Sequence, residues 1–335
     1  MSKWYDKKGP QGEIVLSTRV RLSRNLEEYP FPSRLDAEGK KKVNETVKTA
    51  VFEGGNTSLE YFEMKDLTRL QAISLAERHV ISPDFTDRKE GAALLISQDE
   101  SMSIMLCEED HIKIQAVQSG LALEEVFAKC DEIDSLIDSK LKYAFDEKIG
   151  YLTSRPTDLG TAMKASVLVH LPALTALGQI PRLAATVSKL GINITGAYGN
   201  RIQPAGDIYR VSNCITLGIT EETAIANLKS IVLQLVAQEK SAQEKEIKTP
   251  SEEDKIYRAL GVLQNARLLS TNEFMEMISL VRMGAVNGFV DIPVEKIDSL
   301  IIEMQPATIS VNHEGLDSIT ARDAERAKQV RSILS

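Results

Sequence analysis

The sequence predicts an α+β fold followed by an all-helical domain, and three observations support this prediction. Short segments in which polar and apolar residues alternate, a pattern typical of strands, recur up to about residue 211. Segments with apolar residues at helical spacing lie between these strands. Beyond Thr249-Pro250 strand-like runs nearly vanish, and only helical spacing continues. We therefore divide the chain into a mixed domain at 13–245 and a small helical domain at 251–335.

The elements can be placed along the chain in order. Strands are predicted at 15–22, 92–96, 102–106, 109–115, 164–171, 193–198 and 207–211, with the second and third joined as a hairpin. Helices are predicted at 36–52, 121–145, 174–190 and 221–239, the third ending at Gly191 because glycine favours the C-cap. In the second domain, Ser251-x-x-Asp254 and Ser270-x-x-Glu273 resemble capping boxes, which begin helices.

The composition argues against several classes of protein. A net charge of −8 disfavours general nucleic-acid binding. Cys107, Cys130 and Cys214 show neither disulfide-like nor metal-like spacing, and the histidines are scattered, so we expect a reducing compartment and no metal site. No apolar run reaches the roughly 20 residues of a membrane span, and charged residues interrupt the first residues. We therefore expect a cytoplasmic protein that binds neither nucleic acid nor membrane.

The first strand places two arginines on one face of the predicted sheet. Alternation in Ser17-Thr18-Arg19-Val20-Arg21 puts Arg19 and Arg21 opposite Val20 and Leu22. The same alternation groups Glu109, His111, Lys113 and Gln115 on one further strand, and Lys164 and Ser166 on another. If these strands share a sheet, one face is apolar core and the other bears converging cations, which attract a polyanion such as a nucleoside triphosphate. A carboxylate among them suggests a second, cationic substrate.

Four motifs in order give the sequence a specific resemblance to the phosphagen kinase family over about residues 13–245. They are Ser17-Thr18-Arg19-Val20-Arg21, Glu108-Glu109-Asp110-His111, Gly150-Tyr151-Leu152-Thr153 with Pro156-Thr157-Asp158-Leu159-Gly160-Thr161, and Ala165-Ser166-Val167. The family usually has a helical domain before the first motif. Here a helical domain follows instead, a layout that looks like that of the bacterial protein arginine kinases. Arg322-Asp323-Ala324-Glu325-Arg326-Ala327 also matches their R-D-x-x-R-A motif.

The resemblance implies an antiparallel sheet flanked by helices, with ATP and Mg²⁺ bound across its polar face. Nucleotide contacts would come from Ser17, Thr18, Arg19, Val20, Arg21, His79, Lys113, Lys164, Ala165, Ser166, Val167, Leu168, Thr195, Gly196, Ala197, Tyr198, Gly199 and Asn200. Glu109 and Asn200 would be catalytic, with Glu109 orienting a guanidinium and accepting its proton. Phosphoarginine would bind at Arg322, Asp323, Ala324, Glu325, Arg326 and Ala327.

The implied activity is ATP-dependent phosphorylation of arginine side chains on proteins, which marks them for degradation in quality control and the stress response. The implied partners are protein substrates with exposed arginines, a second copy of the chain in a homodimer, an activator protein and a Clp-type protease system. The alternative is a catalytically impaired paralogue that binds phosphoarginine or acts as a regulatory subunit. A kinase for small guanidino compounds is a more distant third, because the substrate-specificity domain is absent before the first motif.

Several residues depart from the family's pattern. Lys113 and Lys164 stand where arginines are usual, so charge remains but the planar guanidinium fork is lost. Thr195 replaces a further phosphate-binding arginine, Asn200 replaces a glutamate, and Arg155 replaces a cysteine. These changes fit either a retuned kinase or one that has lost catalysis. We place the kinase first because the primary carboxylate and both strand arginines remain, and Arg155 could partly restore the missing charge.

Each motif also has a purely structural explanation. An R-x-R segment on a strand is often a solvated edge, an acidic run is often an exposed turn, and His79 can be a packing residue. Asp323 follows Thr320 at the spacing of N-cap and N3, so it can simply cap a helix. Arg322 and Arg326 would then lie four residues apart on one exposed helix face.

Overall fold

The computed structural model describes residues 2–55, 58–87, 90–198, 204–246 and 249–335. Within this part of the chain, eight strands form one sheet in which every pairing is antiparallel, in the order β2-β3-β4-β5-β1-β8-β10-β9. Its strands are β1 (Val15–Arg24), β2 (Leu59–Glu63), β3 (Ala93–Ser97), β4 (Met102–Leu106), β5 (Ile112–Ser119), β8 (Met163–His170), β9 (Ile192–Gly196) and β10 (Ile208–Asn213). A small hairpin pairs β6 (Phe145–Asp146) with β7 (Gly150–Tyr151). The predicted α+β class and antiparallel sheet are confirmed.

Helices pack against both faces of the sheet. Those in the first part of the chain are α1 (Ala37–Glu53), α2 (Arg69–Glu77), α3 (Leu123–Asp138), α4 (Pro172–Ala176), α5 (Ile180–Ser188) and α6 (Glu221–Glu246). The C-terminal helices are α7 (Pro250–Asn265), α8 (Thr271–Val286), α9 (Val294–Glu303), α10 (Pro306–Asn312) and α11 (Ile319–Leu334). Helices α1, α3 and α6 contribute apolar side chains to the main core under the sheet.

Alternation along β1 determines which side chains meet this core. Val20 and Leu22 are fully buried in it, whereas Arg19 and Arg21 lie on the opposite face of the sheet. Strand β1 lies between β5 and β8, so its polar face is flanked on both sides by further strands. The prediction of one apolar and one cationic face is therefore confirmed for this strand.

Several helix boundaries differ from the prediction, among them the end of α6, which lies at Glu246 rather than at residue 239. The helix predicted to continue to residue 145 ends at Asp138, and the following residues form the β6–β7 hairpin. The helix predicted at 174–190 is two helices, because Gly178 adopts φ +64°, a left-handed conformation that ends α4. Thr249, rather than Ser251, caps α7 by accepting a hydrogen bond from the Glu252 N–H.

The C-terminal helices share a second core with the sheet. Leu16, Leu168 and Ile208 from β1, β8 and β10 pack in one cluster with apolar side chains of α7, α8, α9 and α11. The Glu77 carboxylate in α2 also accepts hydrogen bonds from the Ala307 and Thr308 N–H groups at the start of α10, at 2.7–3.1 Å. The helical part therefore covers one end of the polar sheet face and contacts the segment beside it.

Candidate active site

A cleft of about 710 Å³ opens on the polar face of the sheet, within the size range of ligand sites, about 300–1,000 Å³. The residues that line it come from the sheet, from 73–86, from the 108–109 turn and from 155–164. They are Arg19, Arg21, Ser23, Ile73, Ala76, Glu77, His79, Ser82, Pro83, Asp84, Thr86, Glu108, Glu109, Lys113, Arg155, Thr157, Asp158, Ala162, Met163, Lys164, Ala197, Tyr198 and Arg210. The cleft thus brings together residues far apart in sequence.

Four cations form what we call the cationic floor: Arg19, Arg21, Lys164 and Arg210. Arg21 and Lys164 are paired residues of neighbouring strands, and Arg210 lies one strand further along. Burial, followed by the positive charges of Arg21 and Arg210, holds the pKa of Arg19 well below its usual value. Burial also lowers the pKa of Arg21. Cations that are desolvated and placed near one another in this way are stabilised by an anionic ligand.

Lys113 lines the same cleft but is engaged by a carboxylate. Its ammonium donates to Glu108, which is buried and also accepts a hydrogen bond from the Ser82 hydroxyl. Burial alone would raise the pKa of Glu108, but the charge and hydrogen bond of Lys113 and the Ser82 hydroxyl outweigh it and lower the pKa. The positive charge of Lys113 is therefore largely neutralised within the protein. Contact between Lys113 and a nucleotide stays a prediction.

Glu109 also lines the cleft, and it contacts a guanidinium group of the chain itself. The Arg155 Nε lies 2.8 Å and its Nη2 2.5 Å from Glu109 Oε1. Burial lowers the pKa of Arg155, but the hydrogen bond and charge of Glu109 outweigh that effect and raise it. The Arg155 side chain is 52% exposed, so it can leave this position without unpacking the core. Arg155 is therefore paired with Glu109, although its positive charge also acts on Arg21 and contributes to the lowered pKa of that residue.

The turn that presents Glu109 is held in place by buried hydrogen bonds. Asp110 accepts from the Asn25 side-chain amide and from the Ser154 N–H, both at 2.7 Å. The Ser154 hydroxyl donates to the Glu109 backbone carbonyl, also at 2.7 Å. These contacts join the two loops that carry Glu109 and Arg155. The carboxylate therefore projects from a preorganised turn.

His111 does not lie on the polar face, contrary to the alternation pattern. Strand β5 begins only at Ile112, and the turn before it includes Cys107 at φ +55°, so period-2 alternation does not extend back to Glu109. The His111 Nδ1 accepts a hydrogen bond from the Leu26 N–H at 3.0 Å, and its Nε2 lies 2.9 Å from the Pro30 carbonyl. His111 therefore anchors the 26–30 segment.

His79 closes the cleft opposite the sheet. Its ring Nε2 and the Tyr198 hydroxyl share a hydrogen bond of 2.8 Å, and both residues line the cleft. Burial, with the positive charges of Arg19 and Arg210, holds the pKa of His79 well below its usual value, so the ring is neutral. The Gln115 side-chain amide donates to the His79 carbonyl at 2.8 Å and connects this wall to β5. Contact between His79 and a nucleotide stays a prediction.

The structure divides the predicted nucleotide-binding residues into four groups. Those that line the cleft are Arg19, Arg21, His79, Lys113, Lys164, Ala197 and Tyr198. Ser17, Ser166 and Leu168 line a small adjoining cavity, together with Arg19 and Arg210. Thr18, Val20, Ala165 and Val167 are buried, and their side chains point away from the cleft because alternate residues of a strand face opposite sides, so their contact with a nucleotide stays a prediction. Thr195 and Gly196 lie in β9, whereas Gly199 and catalytic candidate Asn200 lie outside the described residues.

Sequence reasoning missed Glu108 and Arg210. Glu108 and Glu109 both belong to the predicted motif and both line the cleft, but only the structure shows that Glu108 is buried and paired with Lys113. Arg210 lies within a predicted strand, so its alternation with Val211 could have indicated a polar face. What the sequence lacked was the strand order, which brings this face beside Arg19.

The predicted phosphoarginine segment opens α11, although its cap and exposure differ from the prediction. Ser318, not Thr320, is the N-cap and accepts a hydrogen bond from the Ala321 N–H. Arg326 is only 1% exposed and donates to the carbonyls of Met304 and Leu269. Its Nη1 also donates to Asp323 at 2.7 Å.

Arg326 is thus a buried donor that ties α11 to neighbouring loops, and it does not share an exposed face with Arg322. The remaining residues of the segment are Ala324 and Glu325, which are partly exposed, and Ala327, which is fully buried. Phosphoarginine binding here stays a prediction.

Two family descriptions match the chain, one for each predicted domain. Residues 40–242 match the ATP:guanido phosphotransferase C-terminal catalytic domain. Residues 251–335 match the protein-arginine kinase McsB C-terminal domain. Most residues that line the cleft lie in the first of these regions, as do Lys164 and Arg210 of the cationic floor, whereas Arg19 and Arg21 precede it.

Curated relatives resemble the chain along almost its whole length. It is 42% identical to the protein-arginine kinase of Caldanaerobacter subterraneus subsp. tengcongensis, over 99% of this chain and 98% of the relative. It is 37% identical to the protein-arginine kinase of Halothermothrix orenii, over 100% of this chain and 97% of the relative. It is 39% identical to the protein-arginine kinase of Bacillus cereus, over 100% of this chain and 96% of the relative.

Solved structures with the same fold include two other guanidino kinases. The duplicated taurocyamine kinase from Schistosoma mansoni, with bound transition state analog components, aligns with a TM-score of 0.64 and 26% identity. That alignment covers 79% of this chain but 39% of the duplicated protein. Lombricine kinase aligns with a TM-score of 0.61 and 22% identity, over 73% of this chain and 72% of that one, which supports the fold alone.

Proposed function

This chain belongs to the protein-arginine kinase family of ATP:guanido phosphotransferases, and on that premise we propose that it transfers a phosphoryl group from ATP to arginine side chains of proteins. The relatives' names do not favour the alternative of an impaired, regulatory paralogue.

Apart from the relatives, one observation in this structure supports the proposal. One cleft contains a cationic floor suited to phosphates and also a carboxylate that already holds a guanidinium, Glu109 with Arg155. A phosphoryl transfer to arginine needs these two environments side by side.

The chemistry follows from the residue types. An arginine side chain is protonated at neutral pH, with a pKa above about 12, so its nitrogen cannot attack until a proton is removed. Glu109 would orient the incoming guanidinium and accept that proton as the N–P bond forms and the bond from phosphorus to the bridging oxygen breaks. Phosphoryl transfer otherwise depends on positioning and on neutralising the spreading charge of the phosphates. The cationic floor would supply that neutralisation.

ATP and Mg²⁺ enter this proposal as the bound substrate pair. Desolvated Arg19 and Arg21, whose pKa values are lowered, fit a polyphosphate chain. Mg²⁺ usually keeps several waters and binds through substrate phosphates with one or two carboxylates. Within the described residues, no group of three or more histidine, cysteine, aspartate or glutamate residues could hold a metal ion. We therefore propose that Mg²⁺ arrives with the nucleotide.

The direct experiment supplies MgATP labelled in the γ-phosphate and an arginine-rich unfolded protein. We expect label on the protein that is lost in acid and retained in base, because P–N bonds are acid-labile and serine phosphate is not. Acid-stable label would indicate hydroxyl phosphorylation and contradict the proposal. A wild-type enzyme that transfers no label, although folded and able to bind MgATP, would favour the regulatory alternative.

Arg155→Ala is the informative variant in the same assay. If substrate arginine must displace Arg155 from Glu109, removing it should lower KM for the protein substrate. Exposed ion pairs are worth about 0.2–1 kcal/mol, so KM should fall by up to about fivefold. The exposed Arg258→Ala in α7 is the matched control and should leave KM unchanged. A rise in KM for Arg155→Ala would show instead that Arg155 helps to bind substrate.

Other expectations stand as proposals beside this activity. We propose a catalytic domain at 13–245 and a C-terminal domain at 251–335 that binds phosphoarginine. We propose that the chain forms a homodimer, and that an activator protein and a Clp-type protease system are its further partners. We also propose that the protein acts in the cytoplasm, in protein quality control and the stress response. No helix of the described chain is long and apolar enough to span a membrane.

A further inference from the structure

We propose that Arg210 binds the phosphates of the donor nucleotide and supplies, from β10, the positive charge that Thr195 does not supply from β9. This inference rests on the proposed function and adds a residue to the donor site. Arg210 lines the main cleft and also the small adjoining cavity, in both cases together with Arg19. It lies outside the sequence motifs described above.

Strand register places Arg210 directly across from Thr195. The two residues are Cα partners in the antiparallel β9–β10 pair, and the next pair along is Val211 with Ile194. Val211 is buried in the main core and Ile194 packs against it. Because cross-strand partners share a face and neighbours alternate, Arg210 and Thr195 both face the cleft side of the sheet.

Position in the sheet favours Arg210 as a fixed cation. Strand β9 is the edge strand, whereas β10 is paired on both sides, with β8 and with β9. On β8 the Cα partner of Arg210 is Leu168, which packs among the C-terminal helices. The backbone that carries Arg210 is therefore held by two ladders of hydrogen bonds and by the second core.

The electrostatics of the neighbouring groups agree with this placement. The positive charge of Arg210 contributes to the lowered pKa values of Arg19, Arg21 and His79, after the larger effect of burial. Such a contribution requires Arg210 to lie near all three. A ligand with several negative charges would relieve this mutual repulsion, and a nucleotide polyphosphate has the required charge and length.

The test moves the cation between the two strands. Arg210→Gln should weaken MgATP binding at least tenfold by calorimetry and raise KM for ATP, whereas Arg210→Lys should retain most of the affinity. Adding Thr195→Arg to Arg210→Gln should restore binding, because the charge returns to the same face. Thr195→Arg alone should give no gain, since like charges placed directly opposite one another repel. The exposed Arg34→Gln is the control for loss of one positive charge.

Two outcomes would overturn the proposal. One is unchanged MgATP affinity in Arg210→Gln while Arg21→Ala weakens it, which would leave the donor site intact without Arg210. The other is a folded Thr195→Arg, Arg210→Gln double variant, checked by its melting temperature, that binds no better than Arg210→Gln. If Arg21→Ala also leaves affinity unchanged, the donor site itself is wrong, and the failure belongs to the proposed function.

Discussion

A Glu109→Gln variant should bind MgATP as tightly as the wild type and transfer almost no phosphate to arginine. Glutamine preserves the size of the side chain but cannot accept the proton that the guanidinium must lose. Positioned proton acceptors contribute about 10²–10⁴ in rate, so kcat should fall by about that factor. The measurement is initial-rate transfer of labelled phosphate to an arginine-rich protein, with nucleotide affinity determined in parallel by calorimetry.

Asp84→Asn is the matched control for this loss of charge. Asp84 also lines the cleft and lies 3.6 Å from Arg155, but it is 72% exposed and makes the longer contact. Its loss should change kcat only slightly. Full activity in Glu109→Gln would make Glu109 a structural partner of Arg155 and leave the proton acceptor unidentified.

Replacing Arg21 with alanine should weaken MgATP binding by at least tenfold, about 1.4 kcal/mol. Arg21 belongs to the cationic floor, is paired across strands with Lys164 and lies close enough to Arg210 for their charges to repel. A hydrogen bond to a charged group is worth about 1.5–3 kcal/mol, so loss of one phosphate contact accounts for the effect. Calorimetric titration with MgADP and MgATP measures it.

The exposed Arg182→Ala in α5 serves as the control for Arg21→Ala, because it removes the same charge far from the cleft. The Arg21→Ala variant should keep its melting temperature, since burial penalises the Arg21 charge and repulsion from Arg210 opposes its attraction to Glu108 in the unliganded protein. Equal nucleotide affinity in wild type and Arg21→Ala would remove the cationic floor as the phosphate site.

Local patterns in the sequence were sufficient for much of the fold. Alternation in β1 is a property of consecutive residues, so the opposite faces of Arg19 and Val20 could be assigned without knowing any neighbour. The Asp36 cap of α1 is equally local, since its side chain accepts the Gly39 N–H at 2.8 Å. The strand order was not among the predictions, because it depends on pairing between segments far apart in the sequence.

Features that depend on distant parts of the chain could not be predicted in this way. The burial of Arg326 depends on carbonyls of Met304 and Leu269, which only tertiary packing brings near it. The pairing of Lys113 with Glu108 depends on the turn at Cys107, whose positive φ ends the strand pattern. The role of Arg210 depends on register with β9. In each case the sequence indicated the chemical type of the residue but not which residues would surround it in the folded protein.

The most direct test asks whether the two halves of the cleft act on one reacting group. Nitrate is planar and trigonal, like the metaphosphate-like group in transit, so MgADP, nitrate and an arginine-containing peptide together mimic the transition state. Because enzymes bind such states more tightly than substrates, we expect the peptide to bind at least about tenfold more tightly with MgADP and nitrate than alone. We expect no such gain in Glu109→Gln. Peptide affinity that is the same with and without MgADP and nitrate would contradict the assignment of this cleft as the site of phosphoryl transfer to arginine.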